Sequence, residues 1–311
     1  MNNDIAAAAK ALKNGNLVAF PTETVYGLGA DATNPDAVAK IYSTKGRPAN
    51  HPLIVHVSSL DRAMEWASFQ PEYLARLADA FWPGPMTLIL KRSALAGDFV
   101  TGSQDTVGVR VPNHPVALQL LAEFEALGGK GVAAPSANRF GKVSPTTAEA
   151  VRQELGAYLS AGDMILDGGQ CDVGIESTII DCTSTQPAIL RLGAVTASEV
   201  EAVTGMQLAS DRGEIRVSGS LKSHYAPKAK LVLDQEPLPG DGFIALENIS
   251  TPAGVTRLAE PKDSGEFARE LYLALRKADE LGLKRIVAIT PDGQGLAEAI
   301  ADRLARASYR N

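Results

Sequence analysis

Short apolar runs alternate with amphipathic segments along the whole chain. The first run, 17–20, ends at Pro21, which cannot donate to a sheet ladder and therefore indicates the end of a strand. Residues 106–111 alternate with a period of two, which predicts a half-buried strand with Arg110 on the face opposite Val109 and Val111. Further runs predict strands at 52–57, 86–90, 131–134, 175–182, 188–192, 230–233, 242–246 and 285–290.

Helical periodicity separates these strands. Asp4 can cap a helix that Gly15 ends, and Asn34 followed by Pro35 is typical of a helix start. The other predicted helices are 36–43, 71–81, 114–124, one starting at 146–149, 264–281 and 295–307. The mixed order predicts an α/β domain over residues 1–210 and a smaller doubly wound α/β domain over 230–311, while 211–229 has the composition of a linker.

Length and composition agree with two globular domains. The chain has 311 residues, of which 45% are hydrophobic and 21% charged. No leader-type segment and no apolar run near the roughly 18 residues of a membrane span is present, so we expect a cytoplasmic protein without membrane contact. Two cysteines and four scattered histidines argue against a disulfide framework and against a zinc site.

The charge distribution indicates a local anion site. Residues 1–210 carry the whole net charge of −6, which does not suit a general nucleic-acid binder. Four windows, 37–60, 106–122, 126–148 and 182–198, nevertheless lack acidic residues. They contain Lys40, Lys45, Arg47, Arg110, Lys130, Arg139, Lys142 and Arg191. If the fold brings these windows together, they form a pocket for a small polyanion.

The stretch from Phe20 to Ala32 is the densest in functional groups. After the first strand it carries Thr22, Glu23, Thr24 and Tyr26 between small residues, and we interpret it as a loop. Lys45 and Arg47 follow at a spacing of two. In an extended segment both would face one side and could grip adjacent phosphates, although a solvated basic turn has the same pattern.

Other candidate residues leave alternatives open. Ser136 and Asn138 could donate to phosphate or ribose oxygens, or could cap a turn. Arg110 could be a carboxylate clamp or a surface charge, and His56 a ligand or a core histidine. Glu176-Ser177-Thr178 forms a further loop-to-strand junction with hydroxyls. The phosphate-binding P-loop, the dinucleotide fingerprint and the serine nucleophile elbow are absent from the sequence.

The ordered series of motifs resembles the YrdC-like threonylcarbamoyl-adenylate synthases, in their two-domain branch with a C-terminal Sua-type domain. The resemblance spans essentially the whole chain. It implies an α/β fold: a YrdC-like twisted mixed-sheet domain with helices (1–210), a linker or lid segment (211–229) and a small Rossmann-like domain (230–311). The motifs are Pro21 to Leu28, Lys45-Gly46-Arg47-Pro48, 51–56, Trp82 to Thr87, Ala134 to Asn138, Ser177-Thr178, Arg191-Leu192-Gly193 and Ser223 to Pro227.

The resemblance also implies a reaction. A nucleotidyltransferase of this family converts L-threonine, bicarbonate or carbon dioxide, and ATP into threonylcarbamoyl-adenylate and pyrophosphate, with Mg²⁺ accompanying ATP. A separate tRNA threonylcarbamoyl transferase would use the product to modify the adenosine next to the anticodon. A weak direct contact with RNA is compatible with this role, and no protein-held metal is expected.

The family's functional residues carry over at matching positions. Lys45 and Arg47 would be the catalytic cations. ATP would contact Lys45, Arg47, Thr106, Ser136, Asn138, Ser144, Arg191 and Tyr225. Threonine would contact Thr24, His56, Arg110 and Ser177, with Arg110 taking its carboxylate. Tyr225 would reach back from the linker as part of a lid. Glu23 is the nearest candidate for a general base, against a structural role in its loop.

Two other functions fit parts of the pattern. A non-catalytic RNA-binding module could use the same basic pocket, but the acidic net charge and the lack of aromatic platforms in the basic windows count against it. An adenylating enzyme with another acceptor, such as a carbamoyl-transfer maturation factor, should carry acyl-phosphatase and zinc-finger-like segments, which this chain lacks.

Overall fold

The computed structural model describes residues 2–210, 215–219 and 224–309. Its described helices are α1 (Asn2–Lys13), α2 (Pro35–Lys45), α3 (Leu60–Met64), α4 (Leu74–Phe81), α5 (Asp98–Thr101), α6 (Pro115–Ala126), α7 (Ala148–Leu155), α8 (Ala197–Thr204), α9 (Ser264–Glu280) and α10 (Leu296–Ser308). Its described strands are β1 (Val18–Phe20), β2 (Gly27–Asp31), β3 (Ile54–His56), β4 (Met86–Lys91), β5 (Thr106–Arg110), β6 (Val132–Ala133), β7 (Met164–Ile165), β8 (Thr178–Asp181), β9 (Ala188–Arg191), β10 (Lys230–Leu233), β11 (Gly242–Ile244), β12 (Thr256–Ala259) and β13 (Arg285–Ala288).

The first nine strands form one mixed sheet in the order β7-β1-β2-β6-β3-β5-β4-β8-β9. Neighbouring pairs are parallel in β3–β5 and β4–β8 and antiparallel in β1–β2, β3–β6 and β4–β5. Because sequence-distant strands lie side by side, the ends of β3, β5, β8 and β9 bring together residues from four separate parts of the chain. The predicted α/β class with a mixed sheet is confirmed.

The second sheet is parallel throughout, in the order β10-β13-β11-β12. Helix α9 packs against β12, α10 packs against β10, and the two helices contact each other. A parallel sheet with helices packed on it is the arrangement expected of a Rossmann-like domain, as predicted. In the described part of the chain, no helix is long and apolar enough to cross a membrane.

The two sheets share a hydrophobic core. Val25, Val143 and Ile175, which flank the first sheet, pack in the same buried cluster as Phe267 and Leu271 of α9. Tyr225, from the segment between the domains, is buried in this cluster as well. Burial of apolar surface therefore holds the C-terminal domain against the end of the large sheet where the polar residues collect.

Two local predictions were wrong. The stretch interpreted as a loop after Phe20 contains β2, which pairs with β1 and is buried along its whole length. Its glycines hide the strand pattern, and pairing on both sides imposes the strand. The strand β5 is not half-buried, because Arg110 is only 4% exposed. The large sheet is covered on both faces there, so the alternation of charged and apolar residues does not separate solvent from core.

Residues 215–219 of the predicted linker pack on the first domain, whereas the backbone N–H groups of residues 228–229 donate to Asp279 of α9. Val217 lies in a small apolar cluster with Ile89 and Ile179, and Arg216 donates to the carbonyls of Asn50 and Gly102. Ser223, the first residue of the linker motif, lies outside the described residues, as do 211–214 and 220–222. The domain boundaries at 210 and 230 stay a prediction.

Gly29 in β2 offers a test of the packing at the centre of the sheet. A Cβ there would lie 2.7 Å from Val132 Cγ1 and 2.9 Å from Phe20 Cε1. We therefore expect Gly29→Ala to lower the free energy of unfolding by about 1 to 3 kcal/mol, measured by denaturant titration. Gly156→Ala is the control, since its Cβ would meet nothing within 4 Å. Equal stability of the Gly29 variant and the wild type would contradict this packing.

Candidate active site

A polar cleft opens where the large sheet meets Ser218, Gly219, His224 and Tyr225, with an empty volume of about 650 Å³ including the part open to solvent. Four cations line it, namely Lys45, Arg47, Arg110 and Arg191, and all four are buried. The other predicted residues that line it are Thr24, His56, Ser136, Asn138, Ser177 and Tyr225. The structure thus brings together ten of the twelve predicted site residues.

Lys45 is the last residue of α2, and Gly46 ends the helix in the left-handed conformation at φ 63°. The Lys45 Nζ donates to the carbonyl oxygens of Ser136 at 2.6 Å and Asn138 at 2.5 Å. An ammonium group has three protons, so one remains for a further acceptor. Burial, reinforced by Arg47, holds the pKa of Lys45 well below its ordinary value.

Arg47 reaches across the mouth of the cleft. Its Nη2 donates to Pro52 O at 3.0 Å and Ser218 Oγ at 3.2 Å, and its guanidinium lies 5.9 Å from the Phe140 ring centroid. Burial lowers the pKa of Arg47 to about 10, which leaves it charged at neutral pH. Among the described residues its buried Nε has no hydrogen-bond partner, so its N–H can still donate to an oxygen of a ligand.

The segment after Pro135 supplies neutral groups. Ser136 forms a β-bridge with Gly27, which anchors the segment to β2. Asn138 Nδ2 donates to the carbonyl oxygens of Arg139 and Lys142, whereas its buried Oδ1 has no partner among the described residues. The side-chain amide therefore shapes the loop, and its oxygen is the free group.

The predicted threonine residues line the same cleft. His56 and Arg110 are register partners on the neighbouring strands β3 and β5, so both side chains belong to one level of the sheet. Thr24 Oγ1 lies 2.8 Å from Thr22 Oγ1, which makes a pair of hydroxyls beside them. Burial, and then Arg110, lower the pKa of His56 to about 3, so its ring is neutral at physiological pH.

Arg110 is paired with a carboxylate. Its Nη2 lies 2.7 Å from Glu23 Oε1, and both side chains are buried. The contact is an ion pair without hydrogen-bond alignment, because these two atoms and Glu23 Oε2 have no hydrogen-bond partner among the described residues. Glu23 does not line the cleft, which favours the structural role considered for it over that of a base.

Arg191, at the end of β9, fastens two segments together. Its Nε and Nη2 donate to Ser177 O at 3.0 and 2.8 Å, and its Nη1 donates to Ser218 O at 2.9 Å. Ser177 Oγ also lies 2.8 Å from Thr87 Oγ1. Most of the Arg191 donors are thus used to hold the wall of the cleft.

Two predicted ATP residues lie outside the cleft lining. Thr106 lines a smaller neighbouring cavity together with Gln104 and Arg216. Ser144 is fully buried and its Oγ donates to Glu176 Oε1 at 2.7 Å. Neither side chain lines the cleft, and the assignment of both residues to ATP stays a prediction.

Sequence reasoning missed the role of Glu176. It is the one carboxylate among the described residues lining the cleft, and its Oε2 accepts from Tyr272 Oη at 2.9 Å and Arg303 Nε at 2.8 Å. In the sequence, Glu176 precedes the two hydroxyl residues of its motif, and only those hydroxyls are considered as functional groups. Its partners Tyr272 and Arg303 lie more than ninety positions later, so no local sequence pattern predicts the contacts. Only the docking of the C-terminal domain reveals these partners.

Aromatic rings close the cleft. Tyr225 has a φ of 61°, stacks on Tyr272 with ring centroids 5.6 Å apart, and is fully buried. His224 packs edge-on against Tyr225 and Phe140, and Phe140 in turn packs against His51. Phe140 is a second residue that sequence reasoning missed, since a lone phenylalanine in a loop carries no signal.

The described residues contain no group of three or more histidine, cysteine, aspartate or glutamate side chains that could hold a metal ion. The one lining carboxylate, Glu176, already accepts three hydrogen bonds from protein donors. The donor set therefore does not fit a metal ion held by the protein itself.

Comparison with known families gives two matches that together cover most of the chain. The Sua5/YciO/YrdC family, described as telomere recombination, matches residues 10–193. The family described as the threonylcarbamoyl-AMP synthase C-terminal domain matches residues 195–308.

Individual relatives match over nearly the full length. Threonylcarbamoyl-AMP synthase of Bacillus subtilis is 40% identical, with 98% of this chain and 92% of the relative covered. The enzyme of that name from Schizosaccharomyces pombe is 32% identical, covering 97% of this chain and 87% of the relative. The crystal structure of Pyrococcus abyssi Sua5 complexed with L-threonine superposes with a TM-score of 0.88 at 37% identity, covering 99% and 95% of the two chains.

The environment of His56 predicts its titration. Because its pKa is lowered to about 3, we expect its imidazole ¹⁵N shifts to stay constant from pH 8 to pH 5 in NMR spectra of the folded protein. The unfolded chain protonates this ring below about pH 6.5. As the pH falls from 6.5 toward 3, the unfolded chain binds a proton at His56 that the folded protein does not. The free energy of unfolding therefore decreases by up to about 1.4 kcal/mol per pH unit because of this residue.

His56→Gln identifies the resonances and should show a shallower loss of stability between pH 6.5 and 5. A midpoint near 6 for His56 in the folded wild type would contradict the burial described here.

Proposed function

Because the chain belongs to the Sua5/YciO/YrdC family, in the branch that carries a threonylcarbamoyl-AMP synthase C-terminal domain, we propose that it is an enzyme that makes threonylcarbamoyl-AMP. L-threonine, bicarbonate or carbon dioxide, and ATP are the substrates, and pyrophosphate is the second product. The observation that carries this proposal is the cleft, in which four buried cations face a space whose one described carboxylate is neutralised.

Lys45 and Arg47 take the triphosphate. Each is desolvated and retains donor capacity: Lys45 has a third ammonium proton, and Arg47 has its unpaired Nε. Charged donors in a buried site act strongly on a charge that develops during reaction, and they are already oriented by their carbonyl partners. Ser136 adds a neutral hydroxyl donor, whereas Asn138 offers only its Oδ1, which can accept from a ribose hydroxyl. Arg191 places the wall of the nucleotide site.

Arg110 takes the carboxylate of threonine. Glu23 holds its guanidinium from the side away from the cleft, and His56, on the neighbouring strand, stays neutral. A planar fork in a fixed orientation suits a carboxylate. Thr24, whose Oγ1 lies 2.8 Å from Thr22 Oγ1, and Ser177 contribute hydroxyls toward the hydroxyl and amino groups of the substrate.

The reaction proceeds in two steps. The ammonium group of threonine releases a proton to solvent, and the neutral amine attacks the carbon of carbon dioxide, which bicarbonate supplies by losing hydroxide. As the N–C bond forms, one C–O π bond opens and the nitrogen releases a second proton to solvent, which gives the carbamate. A carbamate oxygen then attacks the α-phosphorus of ATP, the bond to the β-phosphate oxygen breaks, and pyrophosphate leaves. The protein contributes mainly position and charge, because phosphoryl-group chemistry needs little covalent help.

Mg²⁺ enters with ATP and not through the protein. The described residues offer no free carboxylate in the cleft, and Mg²⁺ is commonly bound by substrate phosphates and water. Bound in this way it neutralises phosphate charge, and the cations of the cleft neutralise the remainder.

Beyond the enzyme itself, a tRNA threonylcarbamoyl transferase uses the product on the adenosine next to the anticodon, in the cytoplasm. A reactive mixed anhydride of this kind needs an acceptor enzyme to consume it. Any direct RNA contact of this chain is weak, because the first domain carries a net charge of −6. Tyr225 and the segment around Ser218 act as the lid of the cleft, since both line it.

The proposal is tested by pyrophosphate release from the purified full-length protein. Release should require ATP, threonine and bicarbonate together, and omission of any one should abolish it. Tight RNA binding without pyrophosphate release would instead favour a non-catalytic RNA-binding module.

Removal of either catalytic cation should slow the reaction strongly. We expect Lys45→Ala and Arg47→Ala each to lose about 2 kcal/mol or more of transition-state stabilisation, roughly 30-fold in kcat/KM for ATP. Lys40→Ala is the matched control, because Lys40 lies on the same helix but is exposed and outside the cleft lining. Near-normal turnover of both cleft variants would contradict the phosphate assignment.

Loss of Arg110 should affect threonine selectively. Arg110→Met combined with Glu23→Gln removes the charged donor to the carboxylate without leaving a buried carboxylate unpaired, so the KM for threonine should rise about tenfold or more while the KM for ATP changes little. Arg76→Met, on the exposed side of α4, serves as the control and should behave as the wild type. An unchanged KM for threonine would place the carboxylate elsewhere.

A further inference from the structure

We propose that Tyr272 and Arg303 of the C-terminal domain are positioning residues of the active site, which neutralise Glu176 and so allow the cleft to bind the triphosphate of ATP. The inference deepens the proposed function and rests on it. The two side chains come from α9 and α10, whereas Glu176 precedes β8 of the large sheet.

Glu176 is bound from both domains. Its Oε1 accepts from Ser144 Oγ at 2.7 Å, within the first domain. Its Oε2 accepts from Tyr272 Oη at 2.9 Å and from Arg303 Nε at 2.8 Å, both in the second domain. Arg303 is the one charged donor of the three. The positive charge that is hydrogen-bonded to Glu176 therefore comes from the C-terminal domain.

Arg303 is built into this position. It is 1% exposed, its Nη2 donates to Leu192 O at 2.7 Å, and its Nη1 donates to Asp302 Oδ2 at 2.6 Å. Every nitrogen of the guanidinium therefore has a protein acceptor. A fully buried arginine with such contacts cannot swing away to solvent, and the carboxylate that it pairs with stays in place.

Glu176 is ionised in the presence of Arg303. Burial would raise the pKa of Glu176, but the charges of Arg303 and Arg191 and the hydrogen bonds from Arg303 and Ser144 lower it to about 2. The ionised carboxylate lines the cleft. Without Arg303, Arg191 and Ser144 would still favour the ionised form, and the negative charge of the carboxylate would act on the triphosphate without its hydrogen-bonded counter-charge.

The same two side chains also hold Tyr225. The ring of Tyr225 stacks on Tyr272 at an interplanar angle of 26°, and Arg303 Cζ lies 5.5 Å from the Tyr225 ring centroid. Tyr272 and Arg303 thus both compensate the charge of Glu176 and position Tyr225, and both of these residues line the cleft.

The test compares ATP binding, by calorimetry, in the full-length protein and in three variants. We expect Arg303→Met to weaken ATP binding about tenfold, because an uncompensated carboxylate then faces the triphosphate. Arg303→Met combined with Glu176→Gln should recover most of that loss, since the repelling charge is gone. Tyr272→Phe keeps the ring and loses the hydrogen bond, so a loss of about threefold is expected.

Threonine binding provides the selectivity readout. It should change less than about twofold in all three variants, because the Arg110 side of the cleft is not altered. Arg285→Met is the matched control: it breaks an ion pair with Asp241 inside the same domain, away from the cleft, and should leave ATP binding unchanged.

Two results would overturn the inference: wild-type ATP affinity in Arg303→Met, or a double variant that binds ATP no better than Arg303→Met. If Arg303→Met does not fold, wild-type ATP affinity in Tyr272→Phe overturns it, and a selective loss supports it. Because binding is measured without turnover, a wild type that binds ATP but releases no pyrophosphate would defeat the proposed function and leave this comparison intact.

Discussion

The structure depends on burying several positive charges around one cleft. Isolated burial of such groups costs several kcal/mol each, so each needs compensation. Lys45 and Arg191 obtain it chiefly from backbone carbonyl oxygens, which satisfy donors without cancelling charge. Arg110 instead faces the carboxylate of Glu23. The Lys45 part of the cleft therefore keeps a positive potential, as the proposed binding of a polyanion requires, whereas the charge of Arg110 is balanced.

The large mixed sheet makes this arrangement possible. The carbonyl oxygens that hold Lys45 belong to a segment anchored on β2 by the bridge between Gly27 and Ser136, more than ninety positions after Lys45. His56 and Arg110 meet because β3 and β5 are neighbours in the sheet. Rigid strands hold these groups in place before any ligand arrives, which is the condition for electrostatic catalysis without reorganisation.

The C-terminal domain belongs to the same electrostatic unit. It shares a hydrophobic core with the first domain through Val25, Val143 and Ile175, and this burial brings Tyr272 and Arg303 onto Glu176. A small parallel sheet with two packed helices thus provides more than stability. Its contacts reach the wall of the cleft and the ring of Tyr225.

The sequence by itself determined the elements whose signals are local. The Asn34-Pro35 cap predicted the start of α2, and the amphipathic pattern predicted α9 to within one residue. The motif series predicted ten residues that line the cleft. Only the tertiary structure decided that β2 is a strand, that Arg110 is buried and that Glu176 pairs with Arg303. Local residue spacing indicates backbone hydrogen bonding and amphipathic faces. These three features depend instead on the order of the strands in the sheet and on the packing of the two domains, which bring distant segments of the chain together.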